Sequence, residues 1–116
     1  MQFDLIRNYC LGKPEVVEDF PFGPDVIVWK VCGKMFCLGN IEDFSSINLK
    51  CDPEYAMELR ERFEQVQPGY HMNKTQWNTV YFDGVHEKDI LDWIDHSYNE
   101  VVRKLPKKLK ERILHE

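Results

Sequence analysis

The sequence lacks any apolar run long enough to cross a bilayer. A membrane-spanning helix needs about 18 or more consecutive apolar residues, and the 116-residue chain contains no such run. Its start, Met1-Gln2-Phe3-Asp4, also lacks the basic segment that opens a secretory signal peptide. These two absences predict a cytoplasmic protein with no membrane partner.

Motifs of the common phosphate-binding and hydrolytic enzymes are missing as well. The chain contains no GxxxxGKS or GxxxxGKT loop, no GxGxxG turn and no GxSxG elbow. His96 and Ser97 place a base beside a hydroxyl, but adjacent helical residues point about 100° apart, which disfavours a hydrogen bond between them. Acidic pairs such as Glu42-Asp43 are typical of solubilising surface charge. The sequence therefore predicts a non-enzymatic protein without a cofactor.

Cysteine and histidine are too scattered to indicate a metal site. Only Cys32 and Cys37, of the four cysteines, lie close together, and no second Cys or His pair completes a zinc site. Even cysteine counts indicate disulfides mainly in small secreted chains. We therefore expect small buried thiols and no bound metal.

The charge of the chain is unevenly distributed. The net charge is −5, but residues 1–102 hold 9 basic and 18 acidic residues, whereas residues 103–116 hold 6 basic and 2 acidic ones. This distribution excludes a uniformly basic nucleic-acid binder and leaves room for a local basic patch. The basic segment 103–112 is either such a patch or a solvated helix face.

Three long segments have helical character. Apolar residues at helical spacing predict a helix over 2–11, which ends before Gly12. Asp52-Pro53-Glu54 is a helix start, with Asp52 as N-cap and Pro53 in the first turn. This helix is predicted to end before Pro68, and Val66 belongs to its buried stripe. The last long helix is predicted over 88–104, and a short one follows Pro106.

Five segments have β character. They are 15–20, 26–32, 35–39, 45–50 and 77–82. The second and third form a predicted hairpin through the turn Gly33-Lys34, with Gly33 in a position that suits a type II′ turn. Strands this close in sequence pair as antiparallel neighbours, and the helices then pack on one face of the sheet. With 43% hydrophobic and 30% charged residues, we expect one α+β two-layer sandwich domain over 1–116.

The segment 68–79 is the most unusual part of the chain. Its composition is typical of a loop before a strand. It nevertheless contains four groups that can bind ligands, namely the imidazole of His71, the amide of Asn73, the ammonium of Lys74 and the indole of Trp77. Such groups can hydrogen-bond phosphate or stack on a base. They also fit a plain structural role, in which Trp77 packs and Asn73 makes a turn.

The predicted hairpin supplies a second candidate surface. Lys30, Lys34 and Lys50 are three of only nine basic residues in 1–102. If the third strand lies beside the hairpin, the three side chains form one positive edge. Edge-strand lysines also serve to discourage aggregation, so both interpretations stay open.

Five segments carry a combined pattern along nearly the whole chain. They are 28–36 (VWKVCGKMF), 50–53 (KCDP), 68–80 (PGYHMNKTQWNTV), 95–98 (DHSY) and 105–106 (LP). In order and spacing this series resembles the MmcQ/YjbR family. The resemblance implies a fold similar to CyaY, the bacterial frataxin, and DNA binding through a double-wing arrangement. By position it implies these candidate DNA-binding residues: Lys30, Lys34, His71, Asn73, Lys74 and Trp77.

Two other functions compete with duplex DNA binding. Tyr70, His71 and Trp77 could form an aromatic anchor for a protein or small ligand. An iron chaperone would need an exposed acidic ridge, for which the candidates are Asp4, Glu15, Glu18 and Asp19. Fold alone does not decide among these functions.

Overall fold

Four helices and six strands make up the described part of the chain. The computed structural model describes residues 2–69 and 72–114. The elements in chain order are α1 (Gln2–Leu11), β1 (Val16–Asp19), β2 (Val26–Val31), β3 (Lys34–Asn40), β4 (Ser46–Lys50), α2 (Pro53–Arg62), β5 (Val66–Pro68), β6 (Trp77–Tyr81), α3 (Glu87–Arg103) and α4 (Lys107–Leu114).

The strands form one sheet in which every neighbouring pair is antiparallel. The order across the sheet is β1-β2-β3-β4-β6-β5. The helices pack on its inner face, where Trp29, Phe36 and Ile47 are fully buried together with helical residues such as Ile6 and Ile94. The predicted α+β two-layer sandwich is confirmed.

The outer face of the sheet carries a second, smaller apolar cluster. Val28, Leu38 and Trp77 are buried there, and Met35 and Met72 pack against them. Because alternate residues of a strand point to opposite faces, β2 supplies Trp29 to the core and Val28 to this cluster. Met72 therefore lies against the outer face of the sheet.

The hairpin turn lies one residue earlier than predicted. Val31 pairs with Lys34, so the two turn residues are Cys32 and Gly33 rather than Gly33 and Lys34. Their φ angles of 48° and 80° give the left-handed pattern of a type I′ turn, which matches the twist of the flanking strands. Lys34 is consequently the first residue of β3.

The structure corrects the end of the second helix. Helix α2 starts as predicted, with the Asp52 carboxylate accepting a hydrogen bond from the Tyr55 N–H at 3.1 Å. It ends at Arg62, and Val66 opens the edge strand β5, which sequence periodicity missed. A three-residue strand is too short to show alternation, and its Pro68 is tolerated because the strand lies at the sheet edge.

Two side chains of the DHSY segment, residues 95–98, bind helix α3 to α1 and to the residues that follow α1. The Asp95 carboxylate accepts a hydrogen bond from the Tyr9 hydroxyl at 2.7 Å and forms an ion pair with Lys13. The Tyr98 hydroxyl donates to the Pro14 carbonyl at 2.7 Å. Burial, with the hydrogen bond to Asp95, raises the pKa of Tyr9 to about 12.

Of the other two side chains of this segment, His96 contacts the N-cap of α2 and Ser97 contacts the sheet. His96 Nε2 accepts the Asp52 N–H at 3.1 Å. The Ser97 hydroxyl, fully buried, donates to the Phe36 carbonyl at 2.5 Å and accepts the Lys50 N–H at 2.8 Å. The DHSY segment is thus an anchor for α3, and neither His96 nor Ser97 is arranged as a nucleophile and its base.

Candidate nucleic-acid interface

Three lysines converge at one end of the sheet. Lys34 at the start of β3, Lys50 at the end of β4 and Lys104 just beyond α3 line a cleft of about 380 Å³. Apolar side chains form its walls, namely Met35, Trp77, Val101, Leu105 and Pro106. We call this site the lysine cleft. It unites two residues of the predicted edge with one from the basic C-terminal segment.

The cleft opens where β3 and β4 separate. These strands pair at Leu38–Asn48 and Cys37–Leu49, so the next pair would be Phe36 with Lys50. There the Ser97 hydroxyl bridges the Phe36 carbonyl and the Lys50 N–H. A side chain of α3 thus holds the strand ends beside Lys34 and Lys50.

The lysine cleft has an excess of positive charge. Within residues 2–69 and 72–114, none of its three ammonium groups forms an ion pair. Burial lowers the pKa of Lys50, and the positive charges of Lys104 and Lys34 lower it further, against the opposing effect of Glu100. An anion between these amines would relieve that repulsion.

Lys30, in contrast, is neutralised. Its ammonium group lies 2.8 Å from a carboxylate oxygen of Asp19 on the neighbouring strand β1. The pairing follows from the antiparallel register, which places Val28 opposite Asp19 and Val17 opposite Lys30. Lys30 does not line the lysine cleft.

Asn73 and Lys74 lie in the loop before β6. Both are exposed, and the Asn73 side-chain oxygen accepts the Thr75 N–H at 2.9 Å, which closes a turn. Trp77 is only 7% exposed and packs on the outer cluster, with part of its surface lining the lysine cleft. His71, with Tyr70, lies outside the described residues, so the aromatic-anchor interpretation stays a prediction.

Arg60 on α2 holds this loop in place, and sequence reasoning missed it. Its guanidinium donates to the Asn78 side-chain oxygen at 2.7 Å, to the Trp77 carbonyl at 3.2 Å and to the Lys74 carbonyl. Asn78 is 2% exposed and also donates to the Ala56 carbonyl at 3.4 Å. The planar fork of arginine suits three acceptors on neighbouring residues.

We expect Arg60→Met to lower the free energy of unfolding by about 2 kcal/mol, because the variant leaves the buried Asn78 oxygen without its charged donor. Arg62→Met is the matched control on the same helix, since Arg62 is exposed and its nearest carboxylate, Glu58, lies 3.6 Å away. Urea unfolding of both variants measures the difference. Equal stability of the two variants would contradict the assigned role of Arg60.

Three of the four acidic candidates for a metal ridge are engaged in ion pairs, and the fourth, Asp4, is exposed on α1. Glu18 pairs with Arg7 at 2.9 Å, and Glu15 pairs with Arg112 of α4. Asp19 pairs with Lys30, as described above. In the described part of the chain, no group of three or more His, Cys, Asp or Glu residues could hold a metal ion. No disulfide joins any of the four cysteines, all of which lie in the described residues, and Cys10, Cys37 and Cys51 are buried.

Comparison with known proteins decides the family. Residues 11–100 match the family model YjbR. The chain belongs to the YjbR family. It is 36% identical over 112 residues to protein YbdF of Escherichia coli O157:H7, which covers 95% of this chain and 92% of the relative. Against YjbR of Escherichia coli K12 the identity is 29% over 116 residues, with 98% of each chain covered.

Two solved structures share the fold of this chain. Protein DR2400 of Deinococcus radiodurans, with a DUF419 domain, matches with a TM-score of 0.89 and 34% identity over 96% of this chain and 86% of that one. A protein from Pseudomonas syringae matches with a TM-score of 0.73 and 27% identity over 86% of this chain and 98% of that one. These names state no activity, so DNA binding and the CyaY-like assignment stay predictions.

No described helix of this YjbR-family chain has the length and apolar character needed to cross a membrane.

Proposed function

We propose that this chain is a non-enzymatic protein that binds duplex DNA through the lysine cleft. The observation that supports the proposal is the convergence of Lys34, Lys50 and Lys104, without carboxylate partners among the described residues, in a chain of net charge −5. Ammonium groups of lysine serve as point charges for phosphate. The anion that such a site accepts is therefore a phosphate of the DNA backbone.

The apolar walls strengthen this interaction. Val101, Leu105 and Pro106, from α3 and the residues after it, and Met35 and Trp77, from the sheet, line the cleft around the half-buried Lys50. Charges attract more strongly where the surroundings are less polar than bulk water. The cleft is a concave site with charged groups around it, and a phosphate that projects from a DNA strand fits such a shape.

The rest of the surface limits where DNA can bind. Lys13, Lys30 and Lys88 are each paired with an aspartate. Arg103 of the basic segment is likewise paired with Glu100 at 2.9 Å. Because an acidic surface repels the phosphate backbone, binding is expected at the cleft and at nearby basic groups that, like Lys107 and Lys108 of α4, form no ion pair within the described residues. Contacts to phosphate carry no sequence information, and the binding is therefore weak and nonspecific.

The salt dependence of binding tests this proposal. Three phosphate contacts give an expected slope of about −2.7 in a plot of log K against log salt concentration, because each contact releases condensed counterions. Fluorescence anisotropy with a labelled duplex, titrated between about 20 and 200 mM salt, measures the slope. Two duplexes of unrelated sequence are expected to bind equally. Absence of binding at the lowest salt concentration would refute the DNA proposal.

A further inference from the structure

A second concavity lies at the other end of the outer sheet face. It has a volume of about 400 Å³ and is lined by residues of β2, β3, β4 and β6, by Phe22 and by Met72. We call it the outer cavity. The apolar cluster of Val28, Leu38 and Trp77 links the two sites, since Leu38 lines the outer cavity and Trp77 the lysine cleft.

The outer cavity differs from the lysine cleft in its chemistry. None of the ten described residues that line it is basic or acidic. Moving an ion out of water into such surroundings is costly without a countercharge. A neutral lining therefore selects an uncharged ligand, and the volume is in the range of about 300–1,000 Å³ typical of small-molecule sites.

Aromatic side chains stand at the rim of the outer cavity. Phe22 is 60% exposed and Tyr81 is 45% exposed, although both are large and apolar. Aromatic rings attract one another beyond the gain from burial when they stack or meet edge to face. A ligand with an aromatic ring would cover both of these exposed surfaces.

Two asparagines that line the outer cavity, Asn40 and Asn48, carry hydrogen-bond donors. The Thr79 hydroxyl donates to the Asn48 side-chain oxygen at 2.6 Å, so the Asn48 amide nitrogen keeps its donors. The Asn40 side-chain oxygen is likewise occupied by the N–H groups of Glu42 and Asp43, at 2.9 and 3.1 Å. Amide nitrogens directed to a ligand recognise a carbonyl oxygen.

We infer that the outer cavity binds an uncharged aromatic molecule that carries a carbonyl or carboxamide group. The ring packs against Phe22 and Tyr81, and the carbonyl oxygen accepts hydrogen bonds from Asn48 or Asn40. This site uses no residue of the lysine cleft, so it stands independently of DNA binding.

Benzamide and benzoate are matched probes, because they differ mainly in the negative charge. Amide resonances of Gly39, Asn48 and Thr79, followed in a ¹⁵N–¹H NMR titration of the full chain, are expected to shift saturably with benzamide. Benzoate should bind there at least about tenfold more weakly, since its carboxylate finds no cation among the described residues of the lining.

Phe22→Ala is expected to weaken benzamide binding about fivefold through loss of the aromatic contact. Phe20→Ala is the control, because Phe20 is 41% exposed in the same connection but does not line the cavity. Unchanged affinity in Phe22→Ala, equal binding of benzoate, or no saturable shift with benzamide would overturn the inference. Each of these outcomes leaves DNA binding by the lysine cleft unaffected.

Discussion

Replacement of Ser97 by alanine is expected to lower the free energy of unfolding by about 2–4 kcal/mol, because two backbone groups lose their shared partner. The Phe36 carbonyl accepts a hydrogen bond from the Ser97 hydroxyl at 2.5 Å, and the Lys50 N–H donates a second one to the Ser97 hydroxyl oxygen at 2.8 Å. Ser97 is fully buried, so water does not readily replace these bonds. The same bridge joins α3 to the ends of β3 and β4.

Ser45→Ala provides the control for this effect. Ser45 is exposed, and no hydrogen bond of its hydroxyl occurs within the described residues, so the expected loss is below about 0.5 kcal/mol. Urea unfolding with a common m-value compares the two variants. A Ser97→Ala protein as stable as Ser45→Ala would show that the bridge contributes nothing.

The sequence predicted the elements whose signals are local. Helix α1 and the Asp52 cap of α2 were predicted correctly, because apolar spacing and capping chemistry act within a few residues. The hairpin was found but its turn was placed one residue late, since a left-handed Cys32 is unusual for a residue with a side chain. Strand β5 was missed because it depends on pairing with β6.

The candidate site was predictable only in part, because its residues meet through long-range pairing. Lys34 and Lys50 were expected to form one positive edge with Lys30 only if the third strand lay beside the hairpin, and the order β3-β4 brings Lys34 and Lys50 together. Lys104 joins them only because α3 crosses the sheet, which residue spacing does not reveal. Lys30 is on the same hairpin, yet the register of β1 pairs it with Asp19. Apart from its position on an amphipathic helix, nothing in the sequence indicated that Arg60 would contact the loop before β6.

The positions of the positive charges matter more for DNA binding than the net charge of −5. A carboxylate lies beside each of five basic side chains and offsets its positive charge. They are Arg7, Lys13, Lys30, Lys88 and Arg103. The three amines of the lysine cleft are held together by the fold without such partners among the described residues. Their placement, and not the total charge, is the basis for proposing DNA binding.

Charge reversal in the lysine cleft is expected to have the largest effect on binding. Lys34→Glu/Lys104→Glu should weaken DNA affinity at least about 30-fold at low salt, which corresponds to about 2 kcal/mol. Both side chains are exposed, so the protein is expected to keep its fold, and the half-buried Lys50 is left unchanged. The loss arises because two attractive phosphate contacts become repulsive.

A matched double variant, Arg62→Glu/Lys88→Glu, changes the net charge by the same amount outside the cleft. Arg62 lies on α2 with 60% of its side chain exposed, and Lys88 is 84% exposed. Lys88 lies at the other end of α3 from Lys104, at about 24 Å for a rise of 1.5 Å per residue. General repulsion of DNA by an acidic protein would weaken both double variants equally.

The most direct test of the account is therefore a side-by-side anisotropy titration of the two double variants with one labelled duplex at low salt. We expect the Lys34/Lys104 variant to lose at least about 30-fold in affinity and the Arg62/Lys88 variant to lose less than about threefold. Equal losses in the two variants, or unchanged affinity in the Lys34/Lys104 variant, would contradict DNA binding by the lysine cleft.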